Sequence, residues 1–177
     1  MPEGYRLLDV GCGTAGYHRL LARQGSLVGI DPIPEMIETA HRFRDEFGIR
    51  GADYVRSTFE EFEPTGAFDA IRLTGVYGWY LSWRGRGAIL EKTFRLLRPS
   101  GVALLSYQPP TSLIAVAKAV LAPARTKVIF RRRFLAMVTA AGLTPMLELW
   151  RGESRILFAR KPDVPPASGA RDVKGAA

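Results

Sequence analysis

The sequence predicts an α/β fold: a mostly parallel sheet with helices on both faces, closed at one edge by an antiparallel pair. Three observations predict it. Short apolar runs alternate with helix-period segments through the first five strands, which argues for a parallel sheet. A glycine-rich turn follows the first run directly. The last two runs are separated only by a short turn through Gly152, which pairs them antiparallel.

Each element has its own signal. The apolar run over 6–10 predicts a buried first strand, and Leu20, Leu21 and Ala22 predict a helix over 15–24. A second strand over 26–30 ends in Asp31. Pro34 then sits where a helix begins, and Met36, Ile37, Ala40 and Phe43 continue it at helical spacing. Strands are predicted over 52–57 and 68–73, and a helix over 86–97 that ends before Pro99. A fifth strand covers 102–107, and helices cover 112–122, stopping at Pro123, and 132–141, capped by Gly142. The closing strands are 145–150 and 154–159. Residues 1–160 read as one domain, and 161–177, rich in Pro, Gly, Ala and Ser, as a flexible tail.

The 177 residues carry a net charge of +8, unevenly spread. Lys/Arg and Asp/Glu balance over residues 1–100, so the excess lies beyond, and no acid occurs between Glu91 and Glu148. That asymmetry points to an anionic partner or to a solubilising basic surface. Cys12 is the lone cysteine, so no intramolecular disulfide forms. No apolar leader or membrane-length stretch is present, which makes a cytoplasmic protein, peripheral to the membrane at most, the expectation.

The stretch LLDVGCGTAGY narrows the ligand. Gly11, Gly13 and Gly16 form a G-x-G-x-x-G after a strand, where a backbone without Cβ atoms can approach a nucleotide. Asp31, 20 residues after Gly11, can accept hydrogen bonds from ribose hydroxyls. These two features leave NAD open. Asp9 tips the choice, because a carboxylate there repels a pyrophosphate and suits a cationic α-ammonium or sulfonium.

With Asp9, Gly11 and Gly13 in place, the chain resembles the class I S-adenosylmethionine-dependent methyltransferases. Their acid-x-Gly-x-Gly-x-Gly motif has its third glycine at position 15, where this chain has Ala15 and then Gly16. VGIDPIPEMIETA, GAFDAIRL and ILEKTFRLLRPSGVALLSY resemble later segments of the family. The resemblance implies a Rossmann-like three-layer sandwich with strand order 3-2-1-4-5-7-6 and strand 7 antiparallel. It implies S-adenosylmethionine as cofactor. Asp9 then faces the methionine moiety, Asp31 the ribose and Met36 the adenine. Ser57 or Thr58 stands where relatives often bond the adenine amino group with an acid, and Thr74 ends the fourth strand within reach.

The acceptor is less defined. Tyr77, Trp79 and Tyr80 follow the fourth strand and are expected to wall an acceptor pocket or to pack in the core. No general base and no metal cluster is evident. His18 and His41 read as solvent-facing helix residues. The insertion at about 108–131 carries LIAVAKAVLA and then Arg125, Lys127 and Arg131–Arg133, and reads as a lid. An anionic membrane surface or a lipophilic acceptor suits it better than nucleic acid does. The leading expectation is methyl transfer to an O or N atom of a small, lipophilic acceptor. The alternatives are an RNA or protein methyltransferase and an inactive cofactor-binding partner subunit. A homodimer stays open.

Overall fold

The computed structural model describes residues 4–21, 25–76, 83–123 and 127–163. Tyr77, Trp79 and Tyr80, expected at the acceptor pocket, lie outside the described residues, as does 164–177 of the expected tail. The chain runs β1 (Tyr5–Val10), α1 (His18–Leu21), β2 (Gly25–Asp31), α2 (Pro34–Glu46), β3 (Ala52–Arg56), β4 (Phe68–Leu73) and α3 (Trp83–Leu96). It continues with β5 (Leu97–Tyr107), α4 (Leu113–Leu121), α5 (Arg131–Ala140), β6 (Thr144–Arg151) and β7 (Ser154–Arg160).

One seven-stranded sheet has the order β3-β2-β1-β4-β5-β7-β6. The first five strands are parallel, and β7 runs antiparallel to both β5 and β6. This is the order the resemblance implies. β1 lies inside the sheet between β2 and β4, and its apolar residues are buried on both faces because helices cover both sides. Leu8 and Val10 join Ile71, Leu105, Leu90 of α3 and Phe134 of α5 in one core. Leu7 joins Leu27, Tyr54 and Ile37 and Ala40 of α2 in the other.

Two elements differ from the expectation. α1 begins at His18, not at residue 15, because Gly11, Gly13 and Ala15 all take positive φ and prolong the turn. The left-handed residue falls at Ala15 (φ 57°), the place of the motif's third glycine, at a cost of about 1–2 kcal/mol for a residue with a Cβ. β5 begins at Leu97 and carries Pro99 through a register shift, with Ser100 at φ 62°.

The β6–β7 hairpin is tied to β5 by Glu148, which accepts from Tyr107, from Arg155 at 3.0 Å and from Arg131 of α5 at 2.6 Å. Burial works to raise its carboxyl, but the hydrogen bonds from Tyr107, Arg131 and Arg155 outweigh it and hold the group below its ordinary value. A carboxylate held low contributes stability that is fully present above its unfolded pKa and lost as pH falls through the folded one. The wild type's margin over Glu148→Gln in urea unfolding is therefore expected to be full at pH 7 and to shrink below about pH 4.

Candidate cofactor site

A cleft of about 640 Å³ opens at the carboxyl ends of β1, β2 and β4, where parallel α/β sheets bind ligands. Gly11, Asp31, Ile33, Ser57, Thr58 and Thr74 line it, with Phe59, Gly75 and Val76. Asp31 ends β2, and its carboxylate is held from two sides. Oδ2 accepts from Gly13 N at 3.1 Å, and Oδ1 accepts from Ile33 N at 3.0 Å, at the start of α2. A carboxylate has about four lone-pair directions, so capacity for further donors remains.

Gly11 has φ 68°, and a Cβ built on it would lie 2.3 Å from Val76 Cγ2, so only glycine leaves the cleft open there. Thr58 Oγ1 accepts from Glu61 N at 3.3 Å and donates to Glu61 at 2.9 Å, fixing the turn after β3. Ser57 Oγ donates to the Thr58 carbonyl at 2.9 Å. Thr74 Oγ1 is buried with no hydrogen-bond partner among the described residues, which leaves it open to a water or a ligand atom.

Asp9 is placed differently from the sequence expectation. It is 0% exposed and does not line the cleft. Arg72 of β4 donates to its Oδ1 at 2.6 Å, and Tyr17 donates to Oδ2. His18 Nε2 lies 2.7 Å from Oδ2. The carboxylate can only accept there, so Nε2 carries a proton, and Nδ1 lies 3.1 Å from Tyr54 OH. The cation beside Asp9 is thus the chain's own Arg72. His18 is fully buried and not a surface residue, because Asp9 and Tyr54 satisfy both ring nitrogens. His41 is half-buried, edge-on to Tyr54. Burial against this network, then the Asp9 charge, pushes the Tyr17 phenol up.

Met36 is half-buried and does not line the cleft. Ile33, three residues earlier and 47% exposed, is the apolar side chain that does. Its signal in the sequence is its place between Asp31 and the helix-starting Pro34. Arg72, missed entirely, gave no signal until β1 and β4 paired Asp9 with it.

Burial first, then the Asp9 and Asp31 carboxylates, pushes the Cys12 thiol up to about 12. Thiolates are the reactive form, so the folded chain at pH 8 is expected to react with a thiol reagent at least about a hundredfold more slowly than the unfolded chain. A colourimetric thiol assay with and without denaturant checks this.

Comparison with known proteins decides the family. The sequence model of a family described as "Methyltransferase domain" matches residues 7–101. The chain belongs to this methyltransferase family. A ubiquinone biosynthesis O-methyltransferase from Azorhizobium caulinodans is 34% identical over 106 residues, covering 59% of this chain and 40% of that protein. The methyltransferase chain thus spans about two fifths of the length of that curated relative. Among solved structures, a SAM-dependent methyltransferase from Methanosarcina mazei superposes with a TM-score of 0.77 at 15% identity, covering 92% of this chain and 94% of that one. An N-methyltransferase from Bradyrhizobium japonicum in complex with S-adenosylhomocysteine gives 0.69 at 14% identity, covering 90% and 79%. At these identities the solved structures establish the likeness of fold alone. The cleft fits the family's cofactor: Gly11 leaves no room for a Cβ, Asp31 stands at the rim, and Thr74 Oγ1 lacks a partner.

Proposed function

We propose that the chain is the cofactor-binding and catalytic domain of an enzyme that methylates an oxygen or nitrogen of a small, lipophilic acceptor. The observation that carries this is the cleft itself, with Asp31 held at the end of β2 and Thr74 unsatisfied opposite it. S-adenosylmethionine, when bound, supplies a methyl carbon already activated by sulfonium for in-line displacement. The chain's part is positioning. Asp31 accepts the ribose hydroxyls, with Gly13 N and Ile33 N fixing its carboxylate in advance. Ile33 and Phe59 offer apolar surface to the base, and Ser57 and Thr58 offer polar groups to its edge. Asp9 acts one step back: with Arg72, Tyr17 and His18 it anchors the glycine turn from below. Aligning the reactants and excluding water supply much of such a rate, so no base is required for an acceptor that arrives deprotonated.

The lipophilic acceptor is supported by α4, attached just past the end of β5. Its Leu113 is 89% exposed, and Ile114, Val120 and Leu121 are exposed beside it. The same helix, followed by Arg131–Arg133, suits an anionic bilayer surface. No helix among the described residues is long and apolar enough to cross a membrane. The test is transfer of labelled methyl from S-adenosylmethionine into fractions of a metabolite extract. Label in an apolar fraction is expected. Cofactor binding with no transfer into any fraction would contradict the proposal.

A further inference from the structure

A second cavity, of about 250 Å³, adjoins the cofactor cleft and shares Thr74 and Gly75 with it. Arg72, Arg151, Ser106 and Ser154 supply its polar lining. No acid lines it. Asp9 is the carboxylate facing Arg72, and Arg72 meets it through Nη1, which also donates to Tyr17. Glu148 lies on the other face of the sheet. It shares that side of β6 with Trp150, over which the Arg155 guanidinium packs at 3.6 Å, whereas Arg151 pairs with Ser154 on the side of the cavity. Glu153, in the hairpin turn, is not part of the lining.

Arg72 already spends Nη1 on Asp9 and Tyr17, but the other donors keep capacity. Arg151 forms no salt bridge among the described residues and is exposed at the end of β6. Ser106 Oγ accepts from Gly75 N at 2.7 Å, which leaves its own proton to donate. Thr74 Oγ1, on the wall between the two cavities, has no partner. A small space with two guanidiniums, two or three hydroxyl donors and no carboxylate is built for an anion, and planar guanidinium groups favour carboxylate.

We infer that this second cavity is the recognition site for an acidic group on the methyl acceptor. A carboxylate lies between Arg151 and Arg72, accepts from Ser106 and Ser154, and holds the acceptor so that its nucleophile reaches the cofactor cleft past Thr74. The inference rests on the cofactor reading above and adds the acceptor's charge. The acceptor is then lipophilic at one end and acidic at the other. Arg151 is a specificity-determining residue, because it alone of the two arginines is free of the Asp9 network.

The test uses the whole chain and two probes of one shape, 4-hydroxyphenylacetate and its neutral amide. Each is titrated by calorimetry into the wild type, Arg151→Gln and Arg151→Lys, with and without S-adenosylhomocysteine. Because Arg151 is exposed at a strand end, all three are expected to fold, checked by thermal melts. The loaded wild type is expected to bind the acid about tenfold or more tighter than the amide. Arg151→Gln abolishes that preference, Arg151→Lys keeps most of it, and S-adenosylhomocysteine binds all three equally. Equal binding of acid and amide by the wild type overturns the inference. So does a tenfold loss of S-adenosylhomocysteine affinity in Arg151→Gln, which would assign the arginine to the cofactor's own carboxylate. Binding of S-adenosylhomocysteine without acid preference sinks this inference alone. A wild type that takes neither sinks the cofactor reading as well.

Discussion

Asp9→Ala is expected to lower the free energy of unfolding by about 3–5 kcal/mol, the usual cost of removing one partner from a buried charge pair. The carboxylate is fully buried and satisfies Arg72, Tyr17 and His18 together. Its removal leaves the Arg72 guanidinium with no counter-charge and the His18 Nε2–H with no acceptor beneath the glycine turn. Replacing Arg72 as well should recover part of the loss, because the second change removes the stranded cation. Urea unfolding of the two single variants and the double variant measures this. A contact made only with the cofactor predicts the reverse: lost affinity with unchanged stability. The structure therefore makes Asp9 a positioning residue.

Asp31→Ala has the larger effect on binding. Two backbone N–H donors, Gly13 N and Ile33 N, lose their acceptor, and with it the start of α2 and the glycine turn lose a shared anchor. Leaving these two backbone donors without their acceptor costs about 1–3 kcal/mol of stability. In the proposed binding mode the cofactor's ribose loses its acceptor in addition, and hydrogen bonds to a charged group are worth about 1.5–3 kcal/mol. The dissociation constant for S-adenosylhomocysteine is expected to rise roughly 10- to 100-fold, read by calorimetry well below the variant's melting temperature. Asp31→Asn keeps one oxygen and should fall between.

The strands themselves were legible because parallel strands buried in a sheet leave short apolar runs, the first two stopped by Gly11 and Asp31; their order came from the resemblance to the methyltransferases, since no run names its neighbour. The place of Asp31 and Gly11 on the cleft was legible because both stand at strand ends, where clefts open in this fold. What escaped was everything set by partners distant in the chain. His18 sits among polar neighbours in sequence, yet Asp9 and Tyr54 bury it. Arg72 reads as an ordinary strand cation until β1 pairs with β4. Met36 has the right spacing for a helix face, but the cleft faces the helix start, where Ile33 stands. α1 was drawn three residues too long because Ala15 gives no hint of its left-handed backbone.

Arg72 also changes the electrostatic argument about the ligand. The Asp9 charge is met inside the protein, so it no longer repels a diphosphate by itself. The choice between a nucleoside sulfonium and a dinucleotide now rests on the cleft and on family membership. Calorimetric titration of the wild-type chain with S-adenosylhomocysteine and, separately, with NAD tests this most directly. The account predicts saturable binding of S-adenosylhomocysteine and none of NAD. Binding of NAD, or failure to bind S-adenosylhomocysteine by a chain shown to be folded, would contradict it.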